Sequence, residues 1–281
     1  MNKKIKLCLS YIFEFLFSVS LFILLFSFVA SKTIFNKDYI LNELDNNNFY
    51  EKVYESTYDE MSNYLIPSGI PEDVLIDTFT KDSIKIVMTE TIDNIFSNKK
   101  IIIDLSSFEN QLRTNIENYF SKNNLVITDE KAIDEFVAQM SNIYQEELTF
   151  SNVIPKVQNL YYKLMNYLNK GIKFILIITI ILFLINTFIF KNGALATAFI
   201  TSGLLFLIVY LFIINNIDIK NLIIYSKSIS NVIQNVAFSI LNSYKLYGII
   251  LIILGIVCCI LRFFIFPKEE KAKKKTKTSK K

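Results

Sequence analysis

The sequence predicts an all-α membrane protein with four transmembrane helices and a helical-bundle extracytoplasmic domain between the first and second spans. Two observations lead to this fold class. Apolar runs at 7–30, 174–190, 194–214 and 246–266 are long enough to cross a bilayer as helices, which takes about 17–25 apolar residues. The stretch 31–170 is polar instead, and its apolar residues recur every three to four positions, which is the period of an amphipathic helix.

The first element is the span at 7–30, and the lysines at the two chain ends predict its orientation. The N-terminal segment 1–6 is lysine-rich, and so is the C-terminal segment 267–281. Positive residues beside spans stay in the cytoplasm. We therefore expect a multi-pass protein of the cell membrane with both termini cytoplasmic and residues 31–170 outside.

A cleaved signal peptide is the alternative for the first span, since Val29-Ala30-Ser31 fits a small-residue cleavage site. The apolar run of 7–30 is longer than the roughly 7–15 residues of a signal-peptide core. Retention of the span as an anchor is therefore the expectation, and cleavage stays open.

The basic tail at 267–281 contains no aromatic residue and directly follows the last span. We expect it to lie against anionic lipid headgroups and to fix the topology, rather than to bind nucleic acid. The lysines predicted to face lipid are Lys268, Lys271, Lys273, Lys274 and Lys275.

The segment 31–170 carries 22 Asp and Glu against 13 Lys and Arg, a net charge of −9. Its helical stripes, such as Phe108, Leu112, Ile116 and Phe120, predict a bundle of five or six helices. The prolines of 65–71 interrupt this pattern, and the short apolar runs 101–103 and 125–127 are interpreted as loops or minor strands.

Two sets of residues predict helix starts within this domain. Ser106 and Glu109 have the spacing of a capping box. Thr128, Asp129 and Glu130 place negative charge at the positive end of a following helix.

Composition excludes several kinds of active site. The chain has no histidine, so Ser-His-Asp and Cys-His systems are impossible. Its cysteines, Cys8, Cys258 and Cys259, all lie in predicted spans, which leaves none for a disulfide or a cysteine-rich zinc site in 31–170. We expect no cofactor, no metal site and no catalytic residue.

Adjacent carboxylates are the remaining candidates for calcium binding or for sugar hydrolysis. The interpretation that we favour is a solvated helix face, because no calcium-binding motif surrounds these pairs and nothing singles out two of them. The pairs are Glu72-Asp73, Asp129-Glu130, Asp134-Glu135 and Glu146-Glu147.

The spans contain two charged residues, Glu14 in the first and Arg262 in the fourth. An ion pair between them would offset the cost of placing each charge in lipid, and the alternative is that Arg262 extends to the inner interface. In the third span, Ala194, Ala198 and Ser202 form a stripe of small residues that favours close helix packing, for which the second span is the expected partner.

Two connections complete the chain. Residues 191–193 are expected to form a tight cytoplasmic turn between the second and third spans. The extracytoplasmic segment 215–245 carries an amphipathic stripe, and two placements stay open for it: on the outer membrane face or against the large domain.

The layout of four spans with a large first outer loop resembles that of tetraspanin- and claudin-like proteins. Those families have disulfide-bonded outer loops, whereas this chain has no cysteine there. The resemblance concerns topology alone, so it implies no residue role.

The expected function is that of a non-enzymatic membrane protein whose domain at 31–170 binds a protein or envelope ligand, as a scaffold, accessory subunit or sensor. One alternative is a transporter or lipid-handling component that acts as a homo-oligomer. The other is an envelope hydrolase that uses carboxylates.

Overall fold

A computed structural model describes residues 3–150, 153–190, 194–223 and 226–265. Within these ranges the chain is helical and contains no strand, so 101–103 and 125–127 are loops. The described α-helices are α1 (Lys3–Lys32), α2 (Lys37–Asn46), α3 (Phe49–Leu65), α4 (Lys81–Ser97), α5 (Ser106–Lys122), α6 (Glu130–Thr149), α7 (Ile154–Leu184), α8 (Ala194–Asn216) and α9 (Lys227–Ile265). A π-helical segment, Ile185–Phe190, follows α7, and short 3-10 turns occur at Ile66–Ser68, Glu72–Leu75 and Ile219–Asn221.

Four helical stretches, those of α1, α7, α8 and α9, are long and apolar enough to span a membrane. The predicted number of candidate spans is therefore confirmed for the described residues. The helix that contains the predicted fourth span at 246–266 is longer than that span, because α9 begins at Lys227 and runs without a break to Ile265. The predicted turn at 191–193 lies outside the described residues.

The chain forms two compact units. The bundle unit consists of Thr33–Asn166 and Asp218–Ser239. The span unit consists of the described residues within Met1–Lys32, Tyr167–Ile217 and Ile240–Lys281.

In the bundle unit, α2 to α6 and the first part of α7 supply six helices, which agrees with the predicted five or six. Helix α3 packs on α2, α4 and α6. Phe108 of α5 and Tyr144 of α6 stack with ring centroids 4.5 Å apart, and Phe79 packs beside both rings. The largest fully buried core side chains include Met61, Leu65, Ile84, Met88, Leu112, Ile116, Met140 and Leu148.

The segment Asp218–Ser239, which is the larger part of the predicted segment 215–245, belongs to the bundle unit. Its apolar stripe is buried at Ile229, Val232 and Val236. The hydroxyls of Tyr39 and Ser239 lie 3.3 Å apart, within hydrogen-bond distance. The stripe therefore packs against the large domain.

Helix starts in the bundle unit correct one prediction and support another. Ser106 is the first residue of α5 and does not cap it, and Asp104 Oδ1 accepts a hydrogen bond from the Ser106 amide at 3.0 Å. The predicted capping box at Ser106 is therefore wrong. Asp129 does cap α6, because its Oδ1 accepts hydrogen bonds from the amides of Lys131 at 2.9 Å and Ala132 at 3.3 Å.

In the span unit, α1 packs on α8. A buried cluster joins Phe17 of α1, Leu182 of α7, and Ala194 and Ala198 of α8. Ser202 Oγ donates a hydrogen bond to the Ser18 carbonyl at 3.0 Å. Since a hydroxyl without a partner in an apolar interior is costly, this bond helps to fix the register of α8 on α1.

Candidate functional site

The loops at one end of the bundle unit form an apolar cleft. Helix α3 ends at Leu65, and the chain turns through Gly69, whose positive φ of 73° suits a residue without a Cβ, before it reaches Ile70. Helix α5 ends at Lys122, and the amide of Leu125 then bonds back to the Phe120 carbonyl at 2.9 Å. These two turns bring distant parts of the sequence together.

The cleft has a volume of about 240 Å³. Its lining is mostly aliphatic and aromatic, with Thr128 and Asp129 as the polar members. Val126, which lies on its edge, is 79% exposed. The full lining is Ile70, Ile116, Phe120, Val126, Ile127, Thr128, Asp129, Ala132, Ile133 and Phe136. Such a cleft can receive an apolar side chain or a short acyl segment from a partner.

Exposed carboxylates outnumber lysines in the segments that build this cleft. Exposed acidic residues there are Glu72 and Asp73, which follow Ile70, and Asp129, Glu130 and Glu135 at the start of α6. The exposed lysines are Lys122 and Lys131. Arg113 is already paired with Asp134. The surroundings of the cleft are therefore anionic.

A second, wider groove of about 740 Å³ lies along α4, and both of its lysines are in ion pairs. Lys37 Nζ lies 2.6 Å from Asp93 Oδ1, and Lys85 Nζ lies 2.6 Å from Asp45 Oδ1. The hydrogen bond from Lys37 lowers the pKa of Asp93 and raises the pKa of Lys37. Each group is thus held in its charged form at neutral pH, which suits a surface ion pair better than proton transfer.

Glu147 departs from the predicted solvated face. Although Glu146 is exposed, Glu147 is only 5% exposed and accepts a hydrogen bond from Ser56 Oγ at 3.5 Å. The prediction of a solvated face is therefore wrong for Glu147. The other three acidic pairs are exposed, as predicted. Among the described residues, no group of three or more His, Cys, Asp or Glu side chains could hold a metal ion.

The span unit contains a polar cluster around Glu14. The carboxylate of Glu14 accepts a hydrogen bond from Thr197 Oγ1. Asn186 of the π-helical segment is fully buried, and its Nδ2 donates to the Phe13 carbonyl at 3.1 Å and to the Leu182 carbonyl at 2.8 Å. Asn186 Oδ1 has no hydrogen-bond partner among the described residues. Glu14 and its neighbour Phe13 thus accept hydrogen bonds from a hydroxyl of α8 and from an amide of the π-helical segment.

Arg262 is not part of this cluster. It is exposed on α9, and within the described ranges it makes no ion pair with Glu14. The structure therefore does not bring these two charges together, and the pair stays a prediction. The lysines predicted to face lipid, Lys268, Lys271, Lys273, Lys274 and Lys275, lie outside the described residues.

The small-residue stripe lines a helix contact to which both α1 and the expected partner, the second span, contribute. Ala194, Ala198 and Ser202 are all buried. They face α1 through Phe17 and Ser18, and the second span contributes Leu182. The period of small residues identifies the packing face of a helix, and it does not identify the helix that covers this face.

Sequence reasoning missed the glycines between α8 and α9. A Cβ at Gly203 would lie 2.6 Å from the Gly248 carbonyl oxygen, and one at Gly255 would lie 2.9 Å from the Ala196 carbonyl oxygen. The backbones therefore approach so closely that only glycine fits. The seven-residue spacing of Gly248 and Gly255, which is two helical turns, was the available signal.

Comparison of the chain with protein-family models, with curated proteins and with solved structures gave no match.

Proposed function

We propose that this chain is a multi-pass membrane protein whose bundle unit lies on the extracytoplasmic side and binds a protein or envelope ligand through the apolar cleft. It acts as a scaffold, accessory subunit or sensor, and it is not an enzyme. The observation that carries the proposal is the cleft itself, an apolar recess with a strongly exposed valine on its edge. Exposed apolar surface of this kind favours association.

The charge distribution supports both parts of the proposal. The lysines of the chain ends favour a cytoplasmic location for both termini, which puts the bundle unit on the opposite side. The carboxylates around the cleft favour a ligand that combines a bulky apolar group with positive charge.

Site-specific photo-crosslinking in intact cells tests this proposal. A benzoylphenylalanine at Val126 is expected to give one discrete crosslinked product, to be identified by mass spectrometry. The matched control is Ile102, a second exposed apolar loop residue that does not line the cleft. The same product is expected to disappear in Ile70→Asp, which places a charge in the recess.

Either of two results would overturn the proposal. One is an equal yield of the product from Val126 and from Ile102. The other is an unchanged yield in Ile70→Asp while the circular dichroism spectrum and the expression level stay normal.

A second candidate function is a transporter or lipid-handling component, and the polar cluster around Glu14 favours it. Charged residues inside spans commonly serve ion or substrate pathways, and π-helical segments are frequent at functional sites. Loss of the cellular phenotype in Glu14→Gln with normal folding, and its retention in the cleft variant Ile70→Asp, would select this function over the first.

A further inference from the structure

One face of α7 exposes an apolar seam, which we define by Val157, Leu160 and Leu164. These side chains are 48%, 58% and 43% exposed, and Tyr167, the next residue at the same spacing, is 74% exposed. All of them precede the predicted span at 174–190 and lie within the polar segment 31–170. The predicted bounds of the span therefore place the seam outside the lipid tails.

The face of α7 that adjoins the seam is attached to the bundle unit. The ring of Tyr161 packs on Phe96 with centroids 4.9 Å apart, and Tyr162 Oη donates to the Ile95 carbonyl at 2.8 Å. Gln158 Nε2 donates to the Lys99 carbonyl at 3.1 Å. These contacts fix the rotation of α7 about its axis, so the seam is held away from the bundle.

The spacing of the seam indicates what covers it. Val157, Leu160, Leu164 and Tyr167 follow one another at intervals of three, four and three residues. This is the alternation of the a and d positions in a coiled coil, where each side chain fits between residues of a neighbouring, nearly parallel helix. The pattern therefore favours a helical partner that runs alongside α7.

The flanking charges indicate the direction of that partner. Lys156, Lys163 and Lys170 occupy the g position of successive heptads. In an antiparallel pair of identical helices the g positions face each other, and the lysines would repel. In a parallel pair each g position faces an e position, which here is Tyr161 or Leu168, so no lysine meets another.

We propose that the seam of α7 packs against the same seam of a second copy of this chain, in a parallel homodimer with twofold symmetry. Both copies insert into the membrane in the same orientation, so their α7 helices run parallel. In this arrangement the lysines of the two copies do not face each other. Confinement to the membrane also raises the effective concentration of the second copy, which favours association through a short seam. This inference does not depend on the ligand proposed for the cleft.

Disulfide crosslinking of the full-length protein in native membranes tests the proposal. The background replaces Cys8, Cys258 and Cys259 by alanine, and single cysteines are introduced as Leu160→Cys and Leu164→Cys. Twofold symmetry brings each seam residue next to its own copy, and a disulfide needs Cα atoms about 4.4–6.8 Å apart. Mild oxidation is therefore expected to give a dimer band for both variants on a non-reducing gel.

The matched controls are Asn159→Cys and Asn166→Cys, which are exposed on the same helix but lie outside the seam. They are expected to stay monomeric under the same oxidation. Equal dimer yields from seam and control positions, no dimer from the seam, or a seam crosslink only to a different protein would each overturn the homodimer.

A second measurement does not use cysteine chemistry. The double variant Leu160→Glu/Leu164→Glu changes only exposed positions, so the fold is expected to persist. Single-molecule photobleaching in native nanodiscs is expected to show at least a tenfold fall in the ratio of two-step to one-step traces. The control Ile86→Glu changes an exposed residue of α4 and is expected to leave this ratio unchanged. An unchanged ratio in the double variant would contradict the proposal.

Discussion

Single glycines determine how closely two helices of the span unit approach each other. At Gly203 an added Cβ would meet backbone atoms, the Gly248 carbonyl oxygen at 2.6 Å and the Ile252 amide nitrogen at 3.0 Å. Backbone cannot move aside as a flexible side chain can. Gly203→Ala is therefore expected to lower the free energy of unfolding by about 1–3 kcal/mol, which is typical of overpacking. Thermal unfolding of the full chain in detergent measures this change.

Gly171→Ala is the control for Gly203→Ala. No atom lies within 4 Å of a Cβ placed on Gly171, a residue of α7. Alanine also favours the helix over glycine by up to about 1 kcal/mol, so this variant is expected to be neutral or slightly stabilising. A similar loss of stability in both variants would mean that the close approach of α8 and α9 is not responsible.

Tyr144 makes the bundle unit sensitive to high pH. Burial of its phenol raises the pKa from 10.0 to about 12, because the charged phenolate is poorly solvated there. Between pH 10 and pH 12 the folded state holds a proton that the unfolded state has lost. Folding stability is therefore fully present below pH 10 and falls as the pH rises through this window, by about 3 kcal/mol in all.

The variant Tyr144→Phe isolates this effect, since it keeps the ring that stacks on Phe108 and removes the ionisable group. Unfolding midpoints at pH 9 and pH 11.5 are expected to differ less in the variant than in the parent chain. An equal loss of stability between pH 9 and pH 11.5 in both proteins would mean that other tyrosines cause the effect.

Burial of single polar residues was the least predictable property at the residue scale. Adjacent carboxylates usually lie on a solvated face, and Glu146 agrees with this, but Glu147 is buried beside Ser56 of α3. A helix turns by 100° per residue, so two neighbours differ in burial when the edge of the packed face passes between them. The sequence does not show where that edge lies.

At the scale of elements, helix α4 begins with a capping box. Thr80 Oγ1 accepts a hydrogen bond from the Ser83 amide at 3.1 Å, and the Thr80 amide donates to Ser83 Oγ at 2.8 Å. Thr80→Ala removes one of these bonds and is expected to cost about 1 kcal/mol. Hydrogen exchange should show faster exchange of amides in the first turn of α4. Thr80→Ser, which keeps the hydroxyl, is expected to exchange at the parent rate, and equal rates in both variants would exclude a role for the cap.

The helices themselves were predictable because their apolar periods are long and regular, as in α5 and α6. Their starts were harder to place. At Ser106 the pattern of a capping box was present, but Asp104 bonds the Ser106 amide, and the helix begins at Ser106 itself. Two polar residues near a helix start compete for the same amides, and spacing alone does not decide between them.

The apolar cleft could not be predicted, because it depends on contacts between separate elements. Ile70, Phe120, Val126 and Phe136 come from two loops and two helices. The run 125–127 was recognised as apolar, but its exposure follows from the turn after α5. The packing of Asp218–Ser239 in the bundle unit was similarly undecided, since an amphipathic stripe shows that a face is covered and not what covers it.

At the scale of the whole molecule, the charges of the chain ends lead to a prediction of orientation. A background without native cysteines allows single labels at Ser121, exposed at the end of α5, and at Ser279 in the lysine-rich tail. If positive residues keep both termini in the cytoplasm, a membrane-impermeant maleimide should label Ser121→Cys in intact cells. Ser279→Cys should react only after permeabilisation. Labelling of Ser279→Cys in intact cells, with Ser121→Cys protected, would reverse the proposed orientation and place the cleft on the cytoplasmic side.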